Sequence, residues 1–499
     1  MAGTVRDRDD MLRIGREQEL NRNFRFLSVL GFTAVLMCTW EAVLIGSSYG
    51  LTDGGAGGMI YTYIGGVLGF SAVVLSMAEM ASIAPTSGGQ YHWVSEFAPR
   101  KCQKFLSYIT GWVCVLGWHT GIALCSYTVA NMLTGLLTIN YPETYDPKPW
   151  HGTVLVIAVA STAFVFNTFL AQKLPIIEGM ILIIHVFGFF AVLIPLWVLA
   201  PRKTPSQVFL SVEDRGGWGD NGLSCLVGLV APVYALIGPD SAVHMAEEIR
   251  DASWTLPLGM VWTLIINGVT GLVMIITYAF CVGDIDEVLA SSTGFPFIQV
   301  FLNATGSVQA TTGLTILMML LQFCATISNV ATSSRQLFAF ARDDGFPYSK
   351  FLSHVNRHFM VPLNALCIGL IIVCLLSLVN IGSSVAFNAI MSLGTASLLS
   401  SYIISTFCLR LKRWRGEPIP PARWSLGPRW APIIETVALI FLSLVWVLCF
   451  FPVSKDVTAG TMNWSVAIFG GVIIVALVYY YFSARHVYLG PVSRIRTMV

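Results

Sequence analysis

Three ionisable residues stand where an apolar chain is expected to carry none. Glu41 lies in FRFLSVLGFTAVLMCTWEAVLIGSSYGLTDGG, His185 in LPIIEGMILIIHVFGFFAVLIPLWVLAP, and Asp240 in GLSCLVGLVAPVYALIGPDSAVHMAEE. Asp240 follows Ile237-Gly238-Pro239. Proline lacks an amide donor and clashes with the preceding turn, and glycine tolerates dihedrals a helix does not use. A break at this step frees carbonyls before it and amides after it. In lipid such groups persist only where they are buried in protein or line a wet cavity. A carboxylate at a broken membrane helix reads as a solute-binding site. Two carboxylates in a low-dielectric pocket repel, so one of them has to hold a proton or a cation. The expectation is therefore that Glu41 and Asp240 meet near the midplane. Ile237 and Gly238 would lend backbone, and Trp40 and Tyr234 would offer π faces to an ammonium, worth roughly 0.5–2 kcal/mol. His185 is a candidate proton carrier, because histidine changes charge near neutral pH. Plainer roles stay open: Asp240 as the cap of a kinked helix, Glu41 steadying a half-helix N-terminus, and His185 bonded neutral to a carbonyl.

The elements that must position these residues are membrane helices. The 499 residues are 55% hydrophobic and 11% charged, against about 25% charged in soluble domains. Mean hydropathy is +0.71. Runs long enough to span fall at about 26–51, 60–84, 105–137, 153–171, 176–200, 222–248, 259–282, 308–333, 362–380, 385–408, 432–452 and 465–484, which predicts an all-α membrane protein of twelve spans. Residues 1–25 are polar, and the run after them is too long for a cleavable signal. Of the 29 Lys and Arg, only Lys148, Arg202, Lys203, Arg215 and Lys455 fall in the loops opposite the N-terminus. The positive-inside bias thus places both termini in the cytoplasm, as an even number of spans requires. The sequons Asn303-Ala-Thr305 and Asn463-Trp-Ser465 fall on the predicted outer side. The 11 cysteines lie mostly in apolar runs without metal spacing and read as packing residues.

The break in the sixth run implies a partner in the first, because inverted-repeat carriers interrupt corresponding helices of two halves. Glu41, with Gly46-Ser47-Ser48 after it, marks that partner. The chain then divides into a tail (1–25), a first repeat (26–200), a second repeat (222–408), two further helices (432–484) and a second tail (485–499). Glu79, Glu247 and Arg335, with Glu248, Arg250 and Arg342, sit at predicted inner helix ends and are candidates for a charged gate. His119, Phe323, Asn329, Phe387 and Asn388 are possible cavity liners, and His244 lies one turn past Asp240. Ser334–Pro347 reads as an amphipathic inner loop, with Gly345 and Pro347 ending a helical stretch.

The segments PTSGGQYHWVSEFAP, LPIIEGMILIIHVFGFFAVLIPLWVLAP, LIGPDSAVHMAEEIRDAS and SSRQLFAFARDDGFP resemble the amino acid–polyamine–organocation superfamily, most nearly its fungal amino acid/choline permeases, over about residues 25–485. The resemblance implies a LeuT-like five-plus-five inverted repeat with broken helices 1 and 6 and two extra helices. It implies alternating access and uptake of small amines or amino acids, commonly driven by protons. By position it puts the unwound segments near Thr39–Ala42 and Leu236–Asp240. Proton-coupled bacterial relatives carry a lysine seven residues after a glutamate in the fifth helix; here Glu178 is followed at that spacing by His185. Where many members have glycines at the first break, this chain has Trp40-Glu41, a departure from a simple α-amino acid pose.

No GxxxxGK phosphate loop, HExxH or GxSxG nucleophile elbow is present. Enzymatic chemistry, cofactors, metals and nucleic acid are therefore not expected. The expected partners are a small amine or amino acid, protons and the lipid bilayer. The reading is a secondary active transporter, a proton-coupled symporter of a solute such as choline or GABA, at the plasma membrane or an organellar one. A transport-inactive nutrient receptor and an exporter of a pathway metabolite are the alternatives, and the short tails favour transport.

Overall fold

The computed structural model describes residues 3–492 except 16, 17, 19, 357, 379, 380 and 382–385. Among the described residues, eleven helices are long and apolar enough to cross a membrane. In chain order they are Phe26–Thr52, Gly55–Ile83, Gln103–Asn140, Pro149–Phe169, Ala171–Leu199, Asn221–Glu248, Ala252–Cys281, Val308–Arg342, Phe387–Trp414, Gly427–Leu448 and Ser465–Val487. The shorter apolar helix Leu363–Ser377 lies between the eighth and ninth of these and completes twelve; it is called the ninth span below. The last residues expected in it lie partly outside the described ones. The helical stretch expected in the inner segment from Ser334 is continuous with the eighth span, which runs through Arg342 and ends before Gly345 and Pro347.

Both expected interruptions are present. The first span is helical over Phe26–Met37, takes a left-handed kink at Cys38 (φ 33°, ψ 53°) and resumes at Thr39–Ile45. The sixth is helical to Leu236, extended at Ile237, and turns at Gly238 with φ 116° into a tight 3₁₀ segment, Pro239–Glu248. A Cβ placed on Gly238 would lie 2.7 Å from Leu36 Cδ2, so the two breaks face each other. Side chains re-satisfy the backbone around them, as lipid demands. Thr39 Oγ1 donates to Ala235 O at 2.7 Å, and Asn267 Nδ2 donates to Ala34 O at 3.1 Å.

The fifth span shows how one helix serves lipid and site together. Ile176, Met180, Ile183, Phe187, Ile194 and Val198 are exposed, as a lipid-facing surface should be. The buried positions Glu178, Ile181, His185, Gly188, Val192 and Leu196 recur every three or four residues, a single inward stripe. Its two buried ionisable side chains, Glu178 and His185, both lie on that stripe, while Lys173 is exposed.

Two straps close the ends of the bundle. At the face carrying the N-terminus, the Asp7 carboxylate accepts from the amides of Asp251 (3.0 Å) and Ala252 (3.1 Å) and pairs with Arg22 at 3.3 Å. Phe24 N donates to Glu248 O, which ties the strap to the end of the sixth span. Burial alone raises the Asp7 carboxyl, but the amides of Asp251 and Thr4, then Arg22 and Ala252, more than offset it and hold it below the ordinary 3.8. A depressed carboxyl stabilises the fold above its unfolded value and loses that contribution only as pH falls through the folded one. The strap is thus fully held near neutrality. Asp7→Ala is expected to raise the rate of tryptic cleavage after Arg13 severalfold at pH 7, from a loss of roughly 1 kcal/mol. At the opposite face Asp53–Gly54 pairs antiparallel with Glu213–Asp214. Trp218 Nε1 donates to Asp53 Oδ1 at 3.1 Å, and Lys455 N donates to Gly216 O at 2.8 Å.

Candidate functional site

A small cavity of about 50 Å³ lies where the two breaks meet. Its walls are Leu36, Met37 and Cys38 of the first span, a run of the third from Gly117 to Cys125, and Tyr234, Ile237 and Gly238 of the sixth. Asn329 of the eighth span and Met391, Gly394, Thr395 and Leu398 of the tenth complete it. Among the described residues, no Asp, Glu, Lys, Arg or His lines it. Its aromatic faces are Trp118 and Tyr234. Its volume holds roughly three to five waters, so a solute larger than that enters only after the walls part.

The structure does not bring Glu41 and Asp240 into one pocket. The first span breaks at Cys38, ahead of Thr39–Ala42. Trp40, Glu41 and Ala42 therefore already belong to the second half-helix, and none of them faces the cavity. Glu41 turns toward the fifth span, where its Oε1 lies 2.8 Å from His185 Nδ1. At that distance the two groups share one proton. Both are buried, and Glu41 Oε2, His185 Nε2 and Trp40 Nε1 have no hydrogen-bond partner. The Trp40 ring packs on His185 (centroids 5.8 Å apart) and on Phe189 (6.0 Å), so it is a lid over this pair and not a wall of the cavity.

Asp240 lies beyond Gly238 and turns the other way. It accepts from Gln90 Nε2 at 2.6 Å and from Tyr402 Oη at 2.6 Å. His244 does not contact it. His244 Nδ1 donates to Ser87 O at 3.0 Å, and Nε2 accepts from Trp118 Nε1 at 3.0 Å. Both ring nitrogens are thereby used with a single ring proton, which fixes the tautomer and the tilt of the Trp118 indole. Gly89 (φ 56°) passes so close that a Cβ there would lie 2.9 Å from the His244 ring. One buried layer of bonds thus joins the second–third connection to the sixth, third and tenth spans, directly below the cavity.

The proposed gate residues separate into two clusters. Arg335 pairs with Glu248 at 3.0 Å, while Glu247 binds Arg342 at 2.6 Å; these link the sixth and eighth spans. Glu79 instead joins Arg413 at 2.6 Å, and Arg413 also holds Glu435 at 2.7 Å. That cluster ties the second, tenth and eleventh spans. Of the other suggested liners, Asn329 is on the cavity wall. His119 bonds Val115 O through Nδ1 and turns toward Gly369, and Phe387 packs on Tyr127 and Phe295.

Cys38, Trp118, Gln90 and Tyr402 escaped the sequence reading. Trp118 adjoins His119, and Cys38 lies three residues ahead of Glu41, whose charge shows in the sequence while the backbone break does not. Gln90 and Tyr402 reach Asp240 from segments 150 and 162 residues away, a pairing no local pattern announces.

Opposed breaks in the first and sixth of twelve spans, around a small cavity, define a broken-helix membrane transporter. A family model described as amino acid permease matches residues 24–476, and the chain belongs to that family. It is 28% identical to the choline transporter of Saccharomyces cerevisiae (94% of this chain, 84% of the relative) and 28% identical to the GABA-specific permease of the same yeast (99% and 87%). Amino-acid permease 2 of Neurospora crassa is 27% identical (94% and 84%). A solved manganese transporter of Eremococcus coleocola superposes with a TM-score of 0.57 over 96% of this chain and 99% of its own, at 12% identity. That likeness is one of fold.

Proposed function

We propose that the chain imports a small cationic or zwitterionic amine of the choline or GABA class together with protons, across the plasma membrane with both termini in the cytoplasm. The cavity carries the reading. It lacks fixed charge, offers the Trp118 and Tyr234 rings, and is lined by Leu36, Met37 and Ile237 at the carbonyl ends of two half-helices. Such ends are worth roughly half a negative charge each and suit an ammonium group. The names of the fungal relatives point the same way. Trp118 takes the place first given to Trp40 as the π face. The Glu41–His185 pair lies outside the solute's path, where a shared proton couples to transport without touching the substrate. Asp240, bonded to Gln90 and Tyr402, holds the layer below the cavity shut, and Arg335–Glu248 and Arg342–Glu247 close the cytoplasmic mouth.

Radiolabelled choline, GABA and basic amino acids offered to permease-deficient fungal cells test this. Saturable uptake of at least one, abolished by a protonophore, is expected; uptake that ignores the protonophore removes the proton. The orientation has its own test. Asn303 is exposed, whereas Asn463 is buried with its amide donating to Cys449 O and Phe451 O at 2.9 Å. A glycan is expected on Asn303 alone, so Asn303→Gln should abolish the glycosidase-sensitive gel shift and Asn463→Gln should leave it.

A further inference from the structure

Glu178 is a buried carboxyl with no role in the site described so far. Its Oε1 accepts from Ser328 Oγ at 2.8 Å, and its Oε2 has no hydrogen-bond partner. The groups around it offer no compensating charge. The facing half-helix Phe26–Met37 holds no ionisable residue. The eighth span presents Ser328 and, one turn away, Cys324. Arg335, two turns along that span, is taken by Glu248. On its own span the next titratable groups are Lys173, exposed five residues before it, and His185, seven residues after it. A carboxylate held by one hydroxyl cannot recover the cost of leaving water, so Glu178 retains its proton.

Its place is as telling as its state. It lies on the inward stripe two turns from His185, about 10.5 Å along the helix. The first half-helix presses directly on it, for a Cβ on Gly31 would lie 2.9 Å from Glu178 O and 3.4 Å from Leu182 Cβ. One turn in the other direction, Pro175 lines a notch of about 20 Å³ with Gln172, Glu248 and Arg335. That is room for about one water. The seam that has to open when the first half-helix swings away from the fifth and eighth spans is therefore the seam that covers Glu178.

We infer that Glu178 is a second proton-carrying group, through which the proton held at Glu41–His185 leaves toward the face that carries the N-terminus; this rests on the proton-coupled reading above. The bookkeeping is a hand-over. When the seam opens, the Glu178 proton departs through the notch to water, and the proton of the His185 pair crosses by water admitted between them to restore the neutral carboxyl. Glu178 gives one proton to water and takes one from the pair, so its carboxyl ends neutral; the pair, left one proton short, takes up its next proton from the opposite face to complete the cycle.

The test uses purified full-length protein, Glu178→Gln and Glu178→Asp. In infrared pH-difference spectra, which need no substrate, a protonated-carboxyl band is expected in the parent protein and its loss in Glu178→Gln. In proteoliposomes, counterflow of radiolabelled choline or GABA is expected to persist within twofold in Glu178→Gln. Proton-driven accumulation should fall at least tenfold and return in part with Glu178→Asp. A parent protein without the band overturns the inference. So does a Glu178→Gln protein that accumulates solute with the parent's pH profile, or one that loses counterflow in step with accumulation, which would make Glu178 a packing residue. Accumulation by the parent that ignores a protonophore sinks the proton-coupled reading itself. Protonophore-sensitive accumulation that survives Glu178→Gln sinks only the hand-over.

Discussion

His185→Ala is expected to reduce the steady-state accumulation ratio of solute to about one while leaving exchange across the membrane running. The two effects separate because His185 and Glu41 pair with each other at 2.8 Å, off the cavity wall. Removing one partner of a buried hydrogen bond leaves the other unsatisfied at a cost of about 1–3 kcal/mol, or about one to two powers of ten in the population of the coupled state. Glu41→Gln should do the same, because it leaves the imidazole without the acid that shares its proton. The double variant should be no worse than either single one, since both changes remove the same interaction. Accumulation and counterflow measured on the three variants at equal surface level decide it. A His185→Ala protein that concentrates solute with the parent's pH dependence would leave the pair as structure only. If Glu41 instead touched the solute, Glu41→Gln would raise the concentration needed for half-maximal counterflow and His185→Ala would not.

The spans and their breaks were legible because they rest on local signals: runs of apolar residues, and a glycine–proline step that no lipid-embedded helix tolerates without help. The sixth break falls at Gly238 as read. The first falls at Cys38, a residue with a left-handed backbone and none of the composition that usually marks one, so in sequence the charge at Glu41 marks the break three residues late. That shift of three residues is most of a helical turn. It carries Glu41 from the cavity round to the fifth span, and it explains why the two acids part company. The fifth span's stripe was legible in outline, since Glu178 and His185 stand seven residues apart on one face. Their partners Ser328 and Glu41 were not, because each bond spans 144 or 150 residues of chain. The gate illustrates the same limit. Charges at helix ends can be counted from sequence, but which of Glu247 and Glu248 meets Arg335 depends on the pitch of a 3₁₀ segment that replaces the expected α-helix.

Gly238→Val is expected to abolish transport, by a factor of at least about 30, with the protein still folded in the membrane. Gly238 sits at φ 116°, where an L side chain is strained, and a β-branched one most of all. Holding a non-glycine residue in such a region costs of order 1–3 kcal/mol. Its Cβ would also lie 2.7 Å from Leu36 Cδ2 and 3.4 Å from Met37 Cγ, both on the cavity wall. Overfilling a packed site costs about 1–3 kcal/mol more. Even the low end of the sum, about 2 kcal/mol, is a factor of about 30, and it falls on the two breaks between which the solute has to sit. Gly238→Ala carries the same backbone strain with less intrusion, so transport should rank Gly, then Ala, then Val. Gly65 is the control: it lies within the second span and a Cβ there meets nothing within 4 Å, so Gly65→Ala should transport as the parent does, with a helix slightly favoured by its propensity. Initial uptake rates normalised to membrane level give the ranking. Parent-like uptake by Gly238→Val would mean that the breaks move apart without the solute between them, and the binding site would have to be sought elsewhere.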